Sequence, residues 1–179
     1  MNNQKELKHL FRVAQKAFKA KIMLNIESNI EATKNSSELN YYSFLEDVIF
    51  FKLAPGTQGN GRYTYDTKNQ LVMQMNFDDL RQLMYACKEL YKTGKSNYKN
   101  YTDPGLTSTA VGNKKELSLG IGEGTYFINM SSGNIKLSFN FNTYAFLSFI
   151  DTLESIADET EKILYTYQRK NDYKIKFDR

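Results

Sequence analysis

Lys21, Lys52, Arg62, Lys68 and Lys136 fall among Tyr63, Tyr65 and Tyr126, in segments where apolar and polar residues alternate. Ammonium and guanidinium groups neutralise phosphates, and a phenol ring stacks on a nucleobase at about 1–3 kcal/mol per base. Because every base has a π-face, such a surface holds single strands with little regard to their sequence. The same residue types also suit an inert sheet, since outward lysines aid solubility and protect edges, and tyrosines fill half-buried pleats. Spacing alone leaves both readings open.

Other chemistries lack a complete set of groups. Gly120-Ile121-Gly122-Glu123-Gly124 precedes a strand-like run, so the helix N-terminus that would hold a phosphate is missing and a hairpin turn is expected. The segment Gly56-Thr57-Gln58-Gly59-Asn60-Gly61 lacks the Gly-Lys-Ser/Thr ending of a phosphate loop and also reads as a turn. Glu46 with Asp47, Asp78 with Asp79, and Asp158 with Glu159 and Glu161 sit at element starts or on a polar helix face, where carboxylates are ordinarily solvated. Cys87 is the only cysteine, on an apolar stripe, and His9 is the only histidine, without a partner for a dyad. Ser131-Ser132-Gly133 has no nucleophile-elbow context. The expectation is a binding protein with no catalytic residues, no metal and no cofactor.

The elements that must position these residues belong to one domain, as 179 residues allow a core without disulfides or structural zinc. Aromatic residues make up 14% of the chain, thirteen Tyr and twelve Phe without Trp, which favours strands and stacking surfaces alike. A net charge of +4 permits an anionic partner without requiring one. The lone cysteine suits a reducing compartment, and the first residues lack an apolar leader, so a cytoplasmic location is expected. Abundant Asn, Lys and Tyr suit an AT-rich coding sequence such as those of some bacteriophages, in which case the location is the host cytoplasm.

Leu7, Leu10, Phe11, Ala14 and Phe18 recur at three- and four-residue steps, which predicts an N-terminal helix or arm over residues 1–18. Residues 19–29 alternate, with Ile22, Leu24 and Ile26 on one face, and predict the first strand. A polar loop is expected over 31–40, then a strand at 48–53 stopped by Pro55-Gly56, and strands at 62–65 and 71–75. Asn76 or Asp78 caps a helix over 77–91 bearing Leu80, Met84 and Cys87, and Gly94 ends it. Strands at 116–121, 125–130 and 134–141 follow, with a further one expected near 107–111. A long helix from Asn142 or Thr143 carries Phe146, Phe149, Ile150, Leu153, Ile156 and Ile163, and a basic tail occupies 169–179. The order amounts to a duplicated β-β-β-β-α unit over 19–168, an α+β chain.

Lys19-Ala20-Lys21-Ile22-Met23-Leu24, Leu53-Ala54-Pro55, Arg62-Tyr63-Thr64-Tyr65-Asp66-Thr67-Lys68, Thr102-Asp103-Pro104 and Gly124-Thr125-Tyr126-Phe127-Ile128-Asn129-Met130, in this order over most of the chain, resemble the motifs of the Whirly family of single-stranded-DNA-binding proteins, relatives of positive cofactor four and of trypanosome mitochondrial RNA-binding proteins. Lys19-Ala20-Lys21-Ile22-Met23-Leu24 resembles the family's Lys-Gly-Lys-Ala-Ala-Leu strand, with Ala20 in place of glycine. Leu53-Ala54-Pro55, then Arg62-Tyr63-Thr64-Tyr65-Asp66-Thr67-Lys68, is similar to its Phe-Ala-Pro and Arg-x-Tyr-Asp-Trp with a following Lys; Thr67 stands in place of tryptophan. Thr102-Asp103-Pro104 resembles its His-Asp-Pro, Lys114 or Lys115 its next lysine, and Gly124-Thr125-Tyr126-Phe127-Ile128-Asn129-Met130 its Gly-x-Phe strand.

The resemblance implies two antiparallel four-stranded sheets packed with two helices, and a homotetramer joined through those helices. Lys19, Lys21, Lys52, Arg62, Lys68, Lys114 and Lys136 are expected to contact phosphates, with Tyr63, Tyr65, Tyr101 and Tyr126 stacking bases. The partner expected is single-stranded DNA, coated or protected during replication or recombination. A structural or adaptor role, such as a phage assembly component with a protein-binding aromatic face, and RNA binding are the alternatives.

Overall fold

A computed structural model describes residues 7–34, 42–102 and 114–171, with side chains over 10–31, 46–102 and 114–166. The first unit comprises β1 (Leu7–Lys19), β2 (Ile22–Lys34), β3 (Tyr42–Gly59), β4 (Arg62–Tyr65), β5 (Leu71–Met75) and α1 (Phe77–Thr93). The second comprises β6 (Tyr101–Thr102), β7 (Lys115–Gly122), β8 (Thr125–Ser132), β9 (Ile135–Phe141) and α2 (Thr143–Asn171). The fold is α+β with two antiparallel sheets, and the duplication is unequal: among the described residues the first sheet has five strands, the second four.

Where a helix or arm was expected, the described residues from Leu7 to Lys19 form a strand. β1 pairs antiparallel with β2 along its whole length, with a bulge between Arg12 and Ala14. The extra residue, Val13, sets Phe11 and Ala14 three positions apart while both fall on the face shared with Phe18, producing a spurious helical spacing. Residues 31–34 extend β2 where a loop was expected. Helix α2 likewise carries on through Asn171, past the expected start of the basic tail, and the strand expected near 107–111 lies outside the described residues.

Pro55 does not end its strand either. β3 pairs with β2 up to Pro55 and then exchanges partners, so Gly56–Gly59 pairs with β4 while Ile49–Leu53 holds β5. Proline removes only its own N–H. Its carbonyl still accepts from the Asp66 amide at 2.9 Å, and the Gly56 amide donates to the Lys21 carbonyl at 2.9 Å. The turn beyond is therefore only Asn60-Gly61, both at positive φ (49° and 74°), which matches a tight two-residue hairpin.

Leu24 and Ile26 of β2, Ile49, Phe51 and Leu53 of β3, and Met73 and Met75 of β5 form the inner face of the first sheet. Leu117, Ile128, Met130, Phe139 and Phe141 form that of the second. The same core takes in Leu80, Leu83, Met84 and Cys87 of α1 and Phe146, Phe149, Ile150 and Leu153 of α2. Phe18 crosses from β1 to meet Phe139, Phe141 and Phe149 edge-on, with ring centroids 5.7–6.4 Å apart.

Asn76 caps α1 in a reciprocal box with Asp79, and Gly94 closes it at φ 70°. Asp47 accepts from the Phe77 amide at that helix start, so one of the expected solvated carboxylates holds an otherwise unpaired amide. The helices run antiparallel: Arg81 early in α1 pairs with Asp158 (2.9 Å) and Glu161 late in α2, and Lys88 pairs with Glu154 at 2.9 Å. Asp158 and Glu161 are thus paired across helices and not merely solvated.

The two apolar helix stripes are consumed inside the protomer. Phe149 is fully buried, so it belongs to the core and not to an intersubunit face. Among the described residues, the large apolar ones exposed on the helices are Tyr85, Tyr91, Tyr144 and Tyr165.

Candidate nucleic-acid interface

Strand register gathers one face of the first sheet opposite the core. Gln15, Ala17 and Lys19 of β1 lie beside Glu27, Asn25 and Met23 of β2, which lie beside Phe50, Lys52 and Ala54 of β3. Further along β3, Gly56 and Gln58 face Tyr65 and Tyr63 of β4. The pleat therefore places Lys19, Lys52, Tyr63 and Tyr65 on a common side.

Tyr63 and Tyr65 stack with centroids 6.3 Å apart and planes 27° apart. The pair is held from behind. The Tyr65 hydroxyl donates to the Ala20 carbonyl at 2.9 Å in the β1–β2 turn, and its ring lies against Gly56, where a Cβ would sit 2.9 Å from the ring. Glycine at position 56 lets the ring approach the β3 backbone that closely. Tyr63 is exposed, and its ring is the outer member of the pair.

The turn that anchors Tyr65 also carries Lys21, flanked by Lys19, and both lysines are exposed. Arg62 lies on the opposite pleat of β4, and Lys68 lies in the following turn, where Asp66 accepts from the amides of Lys68 (3.0 Å) and Asn69 (3.2 Å). Among the described residues, Lys19, Lys21, Arg62 and Lys68 make no ion pair.

Lys52 is differently placed. Its Nζ lies 2.6 Å from Glu27 Oε2 and 5.5 Å from the centre of the Phe50 ring. Glu27 is only 8% exposed and also accepts from Asn25 Nδ2 at 2.8 Å. Burial alone would raise its pKa, but the hydrogen bond and charge of Lys52, with Asn25 and Arg12, outweigh burial and hold it below the usual carboxylate range. The side of β2 opposite Leu24 and Ile26 is thus no solvated surface: Asn25, Glu27 and Asn29 are all buried, overlaid by long side chains of β1 and β3.

Four expected contacts, Tyr126, Tyr101, Lys114 and Lys136, fall elsewhere. Tyr126 is a correction: its ring faces inward and stacks on Phe146 at 4.1 Å and 3°, beneath α2, where no base can reach it. Sequence placed it outward because β8 alternates with two aromatic neighbours, and the outward one is Phe127. Tyr101 is half-buried, and its hydroxyl donates to the Gln74 carbonyl of β5 at 2.8 Å, tying the two sheets together. Lys114 pairs with Glu116 at 2.6 Å, whereas Lys115 donates to the Val72 carbonyl at 2.8 Å.

Lys136 is exposed on the outward face of the second sheet, opposite Ser131, away from the Tyr63–Tyr65 pair. Phe127 was missed. It lies across Gly120 so closely that a Cβ there would meet its ring at 2.5 Å, and a glycine inside a strand pattern was the available signal. Arg12 and Gln15 were also missed as members of the first-sheet face, because β1 was read as a helix.

Among the described residues no group of three or more His, Cys, Asp or Glu could hold a metal, and no helix is long and apolar enough to cross a membrane. Burial pushes the Cys87 thiol far above its usual range, so the thiolate needed of a nucleophile is suppressed.

No family model matches the sequence, and no curated protein matches it significantly. The crystal structure of WHY1 from Arabidopsis thaliana, a Whirly protein, superposes with a TM-score of 0.52 and 14% identity, covering 100% of this chain and 99% of that one. The chain has a Whirly-like fold.

Proposed function

We propose that this protein binds single-stranded nucleic acid on the outer face of its first sheet, with DNA as the preferred ligand and little sequence preference. The stacked Tyr63–Tyr65 pair, braced by Ala20 and Gly56 beside the exposed Lys19 and Lys21, is the observation that supports this reading. Bases stack on Tyr63, and the neighbouring cations neutralise phosphates. Arg62 and Lys68 extend the cationic rim around β4. The protein catalyses no reaction; it coats exposed strands of the kind formed in replication or recombination. Assembly into a homotetramer belongs to the same proposal and is checked by light scattering.

Fluorescence anisotropy of a labelled mixed-sequence oligonucleotide tests it, at about 50 and 200 mM salt, with duplex DNA and matched RNA as competitors. Salt-sensitive binding that duplex competes for poorly is the expected result. RNA outcompeting DNA would reassign the ligand, and no binding at low salt would sink the proposal in favour of a protein-binding face.

A further inference from the structure

A face that takes up phosphates has little use for a buried acid, yet Glu27 sits at the centre of this one. Its oxygens are held by Lys52 (2.6 Å), Asn25 (2.8 Å) and Gln15 (3.4 Å), with Arg12 at 3.8 Å. Gln15 also accepts from Arg12 at 2.9 Å and donates to Asn25 at 3.3 Å, so the network spans β1, β2 and β3. No buried side-chain polar atom in it lacks a partner. Lys52 is therefore committed to this carboxylate and the largely exposed Arg12 guanidinium stands beside it, whereas Lys19 on the same face makes no ion pair among the described residues.

We propose that Glu27 is a built-in counter-ion that competes with the phosphates of a bound strand for Lys52 and Arg12, and so keeps the strand exchangeable. This rests on the strand-binding reading above. An incoming phosphate must either draw Lys52 from Glu27, leaving that buried carboxylate without its main partner, or meet a cation whose charge Glu27 already neutralises, and both weaken binding. Removing the charge while preserving shape releases the cations. Each cation newly available to phosphate steepens the salt dependence by about one counter-ion.

The test compares wild type, Glu27→Gln, Lys52→Gln, Lys19→Gln and the double variant Glu27→Gln/Lys52→Gln in the anisotropy assay, with circular dichroism melts confirming the fold. Glutamine keeps the acceptor for Asn25 and nearly the same volume. Glu27→Gln is expected to bind about three- to tenfold more tightly at about 50 mM salt, with a steeper salt slope, and adding Lys52→Gln should remove that gain. In the wild-type background, Lys52→Gln leaves the Glu27 charge without its main partner and should cost at least as much affinity as Lys19→Gln, a ranking that does not depend on Glu27→Gln folding. Equal or weaker binding by folded Glu27→Gln, or the reverse ranking of the two lysines, overturns the counter-ion and leaves strand binding standing. Absence of salt-sensitive binding by wild type and Glu27→Gln alike removes both.

Discussion

The outward faces of the two sheets differ in kind. The first carries buried Asn25, Glu27 and Asn29 under long side chains, and ends in the stacked Tyr63–Tyr65 pair. The second carries Ser118, Asn129, Ser131, Ser138 and Asn140, with Phe127 laid over Gly120. Their tyrosines show what decides the difference. Tyr126 points toward α2 and becomes core, while Tyr63 sits on a short strand that no helix covers and stays at the surface. A residue type with stacking chemistry acquires that role only where the helices leave its pleat uncovered.

The sharpest way to break this contrast is to remove each ring. Tyr126→Ala should cost about 3–5 kcal/mol of stability, read as a denaturant midpoint, because a stacked core ring leaves a cavity. Tyr63→Ala should leave the midpoint within about 0.5 kcal/mol and instead weaken oligonucleotide binding by about 1–3 kcal/mol. If Tyr126→Ala is tolerated and Tyr63→Ala unfolds the chain, the assignment of core and surface is reversed.

Gly120→Ala sharpens it from the other sheet. The added methyl meets the Phe127 ring, so a loss of about 1–3 kcal/mol in the same unfolding assay is expected, and an unchanged midpoint would show that the ring is not held against the β7 backbone. Among the cations, Lys19→Gln should reduce the slope of log affinity against log salt by about one, and Lys136→Gln by less. Equal slopes would extend the strand path across both sheets.

The smallest effect expected is in pH. Glu27 has a lowered pKa in the folded chain, so its contribution is present above the usual 4.5 and is lost as pH falls through the lower folded value. Glu27→Gln has nothing to lose there, so its melting temperature should fall less than that of wild type on acidification below about pH 4.5. Parallel curves would show that Glu27 is not electrostatically tied to Lys52 in solution.

The strands at 71–75 and 134–141, the α1 caps Asn76 and Gly94, and the start of α2 near Thr143 were legible because period and capping chemistry act within a few residues. β1 was not, since a single bulge at Val13 converts a two-residue alternation into an apparent helical one. Pro55 misled for a related reason: β3 exchanges neighbours there, and pairing partners are set by distant segments. Of the site, the Tyr63–Tyr65 pair and the lysines around Ala20 were readable from residue type. The Glu27 network was not, because its members meet only through register across three strands.

The outer edge of β5 has a consequence for biosynthesis. Its carbonyls at Gln74 and Val72 are covered by Tyr101 and Lys115, residues 27 and 43 positions later in the chain. While the chain is being made, the first sheet can close as a meander of neighbours before either cover has left the ribosome. For that interval a nascent chain displays an uncapped strand edge, the kind that recruits neighbouring chains, and a translational pause that holds Met75 outside the ribosome with Lys115 still inside would prolong the hazard.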